Sequence, residues 1–318
     1  MLHSIVMLNA ITPIHNGAGE GLGVIDRPIV RERITNFPYI QGSSIKGVLK
    51  DAYRSRINKD ELDIIFGPDE GDKHSSAVAF GDANLLFMPV RSLKGGFVWA
   101  TTPLILYRFL RIIEMAGLSN SNKFPGLKLL LGKPEIHSGM SSVIITPEAD
   151  NLLLITIGQN TRIVLEEYPL LANSLDELKQ FAEETAPFIF STPSSEFLIE
   201  EFKKRLVILP AEIFAYFVTH ATEVVPNIKI DPATGTSTEG LRYSEYLPAE
   251  TVLYCLFGFD RSRQAKGEPY NEDKVKQIFL QHFPNRIQIG ADETKGKGFV
   301  ELSVIGGKDE PGDNKPQA

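Results

Sequence analysis

Residues 15–54 read HNGAGEGLGVIDRPIVRERITNFPYIQGSSIKGVLKDAYR, a pattern that runs loop, strand, loop, helix. Gly17, Gly19, Gly21 and Gly23 alternate in the loop, so the backbone there can approach a ligand closely. Asp26 follows in an apolar setting of Val24, Ile25, Pro28, Ile29 and Val30. In GSSIKGVLKDAYR, Ser43 is the predicted N-cap. Ile45, Val48, Leu49, Ala52 and Tyr53 then share one face at helix spacing. Lys46, Lys50 and Arg54 recur every fourth residue and form a basic stripe on another face. A Gly-rich loop facing a helix N-terminus, with a lysine in the first turn, suits a phosphate. The plainer reading is a capped amphipathic surface helix with solvated lysines.

Composition sets the bounds. The chain has 318 residues, enough for one large domain or two smaller ones, with ordinary apolar and charged content. Its formal charge of −7, from 33 basic and 40 acidic residues, argues against a protein coated in nucleic acid but allows a local basic groove. The single cysteine, Cys255, sits in the apolar run TVLYCLFGF and is expected in the core. One cysteine excludes a disulfide framework and a cysteine zinc site within one chain. No signal peptide opens the sequence and no apolar run is long enough to span a membrane, so a cytoplasmic, reducing setting is expected.

Outward from the opening stretch, HSIVMLNAIT before it is a strand. AVAFGDANLLFMPV gives short strands broken at Gly81-Asp82, and KGGFVWATT another. Thr102 and Pro103 start a helix that ends at Gly117. Residues 118–140 lack periodicity and read as an insert, while VIITPEADNLLLIT reads as a hairpin. Two helices with acidic outer faces fill the second insert, about 174–206, and LVILPAEIFAYFVTHA is strand, proline, helix. In TEVVPNIKIDPATGTSTEGLRYSEYLP, the alternation of Val225, Ile228 and Ile230, the DPATG turn and the polar return to Tyr246 predict a projecting β-arm over about 220–246. A core strand (ETVLYCLFGF) and an amphipathic helix (NEDKVKQIFLQHF) follow. The last ordered segment is RIQIGADETKGKGFVELSVIG: strand, Gly-rich loop with Lys295 and Lys297, strand. That loop is neither a Walker loop nor a dinucleotide fingerprint. Residues 306–318 are expected to be disordered, leaving one domain over 1–305.

Together these segments carry a resemblance. IHNGAGEGLGVIDRPIVRE, PYIQGSSIKGVLKDAYR, FGDANLLFMPVRSLKGGFVWATTP and IGADETKGKGFVEL resemble the RAMP superfamily of CRISPR proteins. Within it they are most similar to the backbone-subunit family of type III-B (Cmr-type) effector complexes. Ile25-Asp26-Arg27-Pro28, the Gly-Ser-Ser-Ile-Lys-Gly helix start and the terminal Gly-rich loop are the most specific parts.

The resemblance implies an α+β fold: a modified ferredoxin-like (RRM-like) palm with insertions and a β-hairpin thumb. It implies copies stacked head to tail along a CRISPR RNA, other Cmr subunits as partners, and endonucleolytic cuts in complementary target RNA at regular intervals, in antiviral defence. It places the residue required for cutting at Asp26.

Residue chemistry agrees with that placement. RNA brings its own nucleophile, the 2′-hydroxyl, so a positioned acceptor plus backbone distortion can suffice. Asp26 could take the proton or ligate a divalent ion, Mg2+ or Mn2+, that also holds phosphate. His15 could protonate the leaving oxygen; Glu245 and Tyr246, closing the arm, are further catalytic candidates. Lys46, Lys50, Arg54, Arg242, Lys295 and Lys297 are expected to meet RNA, on phosphates that carry no sequence information. The bland alternatives are a turn histidine at His15 and an ion pair of Asp26 with Arg27 or Arg31. Two other functions stay open: a non-catalytic backbone subunit, and a small-molecule phosphate enzyme.

Overall fold

The structure is a computed structural model that describes residues 1–306 except 22, 70–73, 119–122, 138–139, 159, 193–194, 238–239 and 265–266. The tail, predicted disordered, lies outside the described residues from 307 onward.

Strand Leu2–Ala10 is an interior strand of a large mixed sheet. It pairs antiparallel with Val252–Phe259 on one side (Val6 opposite Cys255) and with Phe299–Ile305 on the other (Leu8 opposite Leu302). Ala83–Ser92 adds to the outer side of Val252–Phe259, and Gly96–Thr101, Leu206–Ile208, Val143–Ile145 and Ala172–Ser174 continue the sheet beyond it. Arg286–Gln288 forms the other edge, next to Phe299–Ile305.

Both faces of this part of the sheet are covered, which is why consecutive apolar residues such as Ile5–Leu8 recur in its strands. Ile5 and Met7 enter one core while Val6, Leu8 and Ala10 enter the other, as the two-residue period requires. Helix Gly42–Tyr53 packs Ile45, Leu49 and Tyr53 into the second core, joined there by Val275, Ile278 and Phe279 of helix Glu272–Gln281. Tyr53 stacks on Phe279, with ring centroids 5.4 Å apart, and its hydroxyl donates to the Phe279 carbonyl at 2.5 Å. Burying an aromatic of this size stabilises by about 1.5–3 kcal/mol, and the hydrogen bond removes the cost of the buried hydroxyl. Cys255 is buried in the same core.

Three local expectations change. The helix begins at Gly42, not after Ser43, because the Gly42 amide is capped by Asp82 Oδ1 at 2.7 Å from a distant turn. A β-carbon at Gly42 would lie 2.3 Å from the Phe80 carbonyl, so that close approach requires glycine. The hairpin predicted in VIITPEADNLLLIT does not form. Val143–Ile145 pairs with Ala172–Ser174 and Leu206–Ile208, whereas Leu154–Ile157 pairs with Asn160–Leu165. Long-range partners for the first run outcompete the local turn, which becomes a short helix at Asp150–Leu153. Finally, the aperiodic 118–140 region contributes helix Pro125–Leu131, whose Leu127 and Leu130 are core residues. Among the described residues no helix is long and apolar enough to cross a membrane.

Candidate nucleic-acid interface and cleavage site

Strands Glu223–Asn227 and Arg242–Tyr246 form a separate two-stranded antiparallel arm, with Val225 opposite Ser244. Val224, Ile228, Ile230 and Leu241 are exposed on it. Its returning strand is also a docking edge. Arg27 forms a parallel bridge with Ser244, donating its amide to the Tyr243 carbonyl and accepting from the Glu245 amide, each at 3.0 Å. The Asp26 loop is thus fastened to the arm although more than 200 residues separate them in sequence.

Three segments meet at this edge and enclose an open cavity of about 930 Å3: the Gly-rich loop, the helix face bearing Ser44, Gly47 and Val48, and the 289–293 loop. Asp26 lines it. Its Oδ2 accepts from the Tyr243 amide at 2.7 Å, and Oδ1 has no protein partner among the described residues. The expected alternative, an ion pair with Arg27 or Arg31, is not formed: Arg27 pairs with Asp292 and Arg31 with Glu245.

His15 lines the same cavity and is buried, with its ring 5.4 Å from that of Tyr246. Its Nδ1 lies 2.7 Å from the Glu245 carbonyl oxygen. A carbonyl only accepts, so Nδ1 carries the proton and Nε2 is left to face the loop. A β-carbon at Gly17 would sit 2.8 Å from Nε2, so glycine there keeps that nitrogen accessible.

Glu245 and Tyr246, the further catalytic candidates, are both buried and hydrogen-bonded within the chain. One Glu245 oxygen accepts from the Ile29 amide at 3.0 Å; the other takes Arg31 at 2.5 Å and the Thr222 hydroxyl at 2.9 Å. The Tyr246 hydroxyl donates to Asp292 Oδ2 at 2.7 Å. Burial, then that carboxylate, raise its pKa and keep the phenol protonated.

The basic residues divide into separate groups. Arg242 lines the cavity. Lys295 pairs with Asp292 at 3.2 Å, and Lys297 lies over the Tyr246 ring at 4.9 Å. The helix stripe faces elsewhere. Lys50 donates to the Gly67 carbonyl and to Asp69, and Arg54 lies near Asp51. Lys46 has no protein partner among the described residues and lines a second recess of about 540 Å3 with Phe66, Ser75, Ser76 and Arg263. Burial, then Lys50, lower its pKa.

Reading the terminal loop for its lysines overlooked Asp292. The signal was a charged residue two places after Gly290 in the same loop. The residue after Asp26, Arg27, was read as part of the Ile25–Pro28 motif and as an ion-pair partner, with no role at the cavity. Among the described residues no cluster of three or more His, Cys, Asp or Glu side chains is placed to hold a metal ion.

The model of the RAMP superfamily matches residues 7–301. Over 305 residues the chain is 35% identical to the CRISPR system Cmr endoribonuclease Cmr4 of Pyrococcus furiosus, across 94% of this chain and 95% of that one. The crystal structure of oligomeric Cmr4 from Pyrococcus furiosus superposes with a TM-score of 0.68 at 30% identity, covering 96% of this chain and 98% of the other. A chain in the cryo-EM structure of the type III-B Cmr-beta complex bound to cognate target RNA shares the fold, with a TM-score of 0.72 at 23% identity over 96% and 97% of the two chains. With its α+β architecture and its motifs in order at both ends, the chain belongs to the RAMP superfamily, among the Cmr4 proteins of that family.

Proposed function

We propose that this chain is the backbone subunit of a cytoplasmic type III-B (Cmr) RNA-guided complex, stacking head to tail along a CRISPR RNA beside other Cmr subunits and cutting complementary target RNA at regular intervals. The resemblance to a Cmr endoribonuclease over nearly the whole chain supports the class of activity. The observation that carries the chemistry is the placement of Asp26: it lines an open cavity, an extended arm holds one carboxylate oxygen, and the other has no protein partner among the described residues.

The topology fits a ferredoxin-like palm. Strand Leu2–Ala10, helix Gly42–Tyr53, strands Ala83–Ser92 and Val252–Phe259, helix Glu272–Gln281 and strand Phe299–Ile305 follow as βαββαβ. Across the sheet those four strands lie in the order second, third, first, fourth, and both helices pack on one face. The segments between the second and third strands are then insertions, and the 220–246 arm is the thumb.

Cutting by the 2′-hydroxyl requires a proton acceptor near that oxygen and a proton for the departing 5′-oxygen. Asp26 Oδ1 takes the first role. His15, when doubly protonated, keeps Nδ1–H on the Glu245 carbonyl and gives the Nε2 proton to the leaving oxygen. Glu245 and Tyr246 position these groups. The described residues do not form a resident metal site, since Asp26 offers one oxygen. That supply would fit Mg2+ or Mn2+ only as an ion held jointly with RNA phosphates, with Asp26 as its ligand in place of the base role; the ion would then polarise a phosphoryl oxygen.

A non-catalytic backbone role has one observation in its favour: the Asp26–Tyr243 bond is a structural tie. Asp26→Asn separates the two readings, because Asn retains an acceptor for the Tyr243 amide but not the basicity. In a reconstituted complex with labelled target, the variant should assemble and capture target normally while cutting falls by orders of magnitude. Near-normal cutting would make Asp26 a tie only.

A further inference from the structure

The side chain of Arg27 lines the same cavity as Asp26 and is one-third exposed. Its backbone is pinned on both sides by the returning strand of the arm. Among the described residues, only Nη1 of its donors is engaged: with Asp292 Oδ2 at 3.1 Å, Asp292 Oδ1 at 3.4 Å and Ser244 Oγ at 3.3 Å. Nε and Nη2 have no protein partner among the described residues. A guanidinium fixed at its root and at one nitrogen, with its other donors left for a ligand, is preorganised for a phosphate.

Asp292 is suited to fix it. Its carboxylate is nearly buried and is gripped from other directions by the Tyr246 hydroxyl and Lys295. Its backbone takes a left-handed conformation at φ +63°, unusual for a non-glycine residue and maintained by those contacts. Burial alone would raise its pKa, but the hydrogen bonds from Tyr246 and Lys295 and the Arg27 charge outweigh it, so the carboxyl lies below its ordinary value and stays anionic.

We infer that Arg27 is a catalytic residue whose guanidinium binds the non-bridging oxygens of the scissile phosphate, and that Asp292 is the positioning residue that aims it. The inference rests on the reading of Asp26 given above. In the step concerned, the 2′-oxygen bonds to phosphorus and its proton passes to Asp26. The bond from phosphorus to the 5′-oxygen breaks, and that oxygen leaves with the electron pair and takes a proton from His15 or solvent. Arg27 exchanges no proton. It neutralises charge that grows on the non-bridging oxygens in the transition state, where a preorganised donor is most effective.

The test uses the reconstituted complex and targets in which sulfur replaces one or the other non-bridging oxygen at a cut site. The wild-type complex should cut one diastereomer more slowly. Arg27→Gln should lower the single-turnover rate about 100-fold, leave target binding within a few-fold, and erase the preference between diastereomers. Arg27→Lys keeps the charge without the fork and should recover only part of the rate; it serves as the reading if the Gln variant does not assemble. Asp292→Asn should slow cutting less and leave the preference in place. An Arg27 variant that cuts at the wild-type rate, or more slowly with its preference intact, overturns the assignment and leaves Arg27 a tie between arm and loop. Relief of the wild-type preference by Mn2+ in place of Mg2+, with the preference kept in Arg27→Gln, also overturns it, because the oxygen concerned is then held by an ion and not by Arg27. If Asp26→Asn cuts normally as well, the failure lies with the proposed function and not with Arg27 alone.

Discussion

Asp26 Oδ2 accepts the Tyr243 amide proton at 2.7 Å, joining two segments 217 residues apart. One carboxylate therefore does two separable things, bracing the arm and offering Oδ1 to the cavity. Asp26→Ala should lose both, costing about 1 kcal/mol of stability for the broken hydrogen bond and abolishing cutting. Asp26→Asn should lose only the second. Thermal unfolding of the isolated variants beside their cleavage time courses checks this, and equal stability of the two would show that the Tyr243 contact contributes nothing.

Glu245 and Arg31 form a nearly buried pair, with side chains 4% and 14% exposed. Removing one partner strands the other charge, so Glu245→Gln should cost about 3 kcal/mol or more. Combining it with Arg31→Met should cost less than the two changes summed. Urea unfolding of the four proteins measures the coupling, and strict additivity would contradict the pair.

Lys46 is the member of the helix stripe without a protein partner among the described residues, in a recess of its own. Lys46→Ala should weaken RNA binding and make its salt dependence shallower by about one unit of slope. The same change at Lys50, which is held by Gly67 and Asp69, should do less. A salt titration with both variants decides whether partnering separates the two lysines.

The exposed apolar residues of the arm, Val224, Ile228, Ile230 and Leu241, have no core to enter within this chain. Deleting 226–240 should leave a folded chain, because neither core draws on the described residues of that segment. Complexes built from it should no longer cut at regular spacing. Unchanged assembly and cutting would make the arm dispensable.

Glu250 has its pKa raised by burial and then by Glu301, from an ordinary 4.5. For an acid, a raised folded-state value means the charged form opposes folding. The penalty is absent below pH 4.5 and full once pH passes the raised value. Glu250→Gln should therefore raise Tm by a few degrees at pH 7 and leave it unchanged at pH 4. Trp99, the single tryptophan, donates Nε1–H to the Glu250 carbonyl at 3.0 Å, so its fluorescence can follow unfolding beside this residue. An equal shift at both pH values would point away from the charge.

Much was legible from the chain alone, for a physical reason. Strands buried on both faces carry runs of consecutive apolar residues, so Ile5–Leu8 within Leu2–Ala10 and the strand Val252–Phe259 stand out in the sequence. Helices with one buried face must repeat at helix spacing, so Ile45, Leu49 and Tyr53 do as well. Pro103 marks a helix start because its fixed φ is a local property that suits the first turn, although Thr102 before it makes no side-chain cap. The motifs around Asp26 and the terminal Gly-rich loop carried the family. What the sequence could not contain was pairing across distance. The cap of the first helix comes from Asp82, 40 residues away. Val143–Ile145 chose remote strands over its neighbouring turn. Glu245, read as a reacting group, is drawn inward by Arg31, Thr222 and the Ile29 amide. Whether a carboxylate faces substrate or braces a loop depends on which donors the folded chain brings to it. That sets Asp26 on the cavity and Glu245 behind it, and the tertiary structure alone decided it.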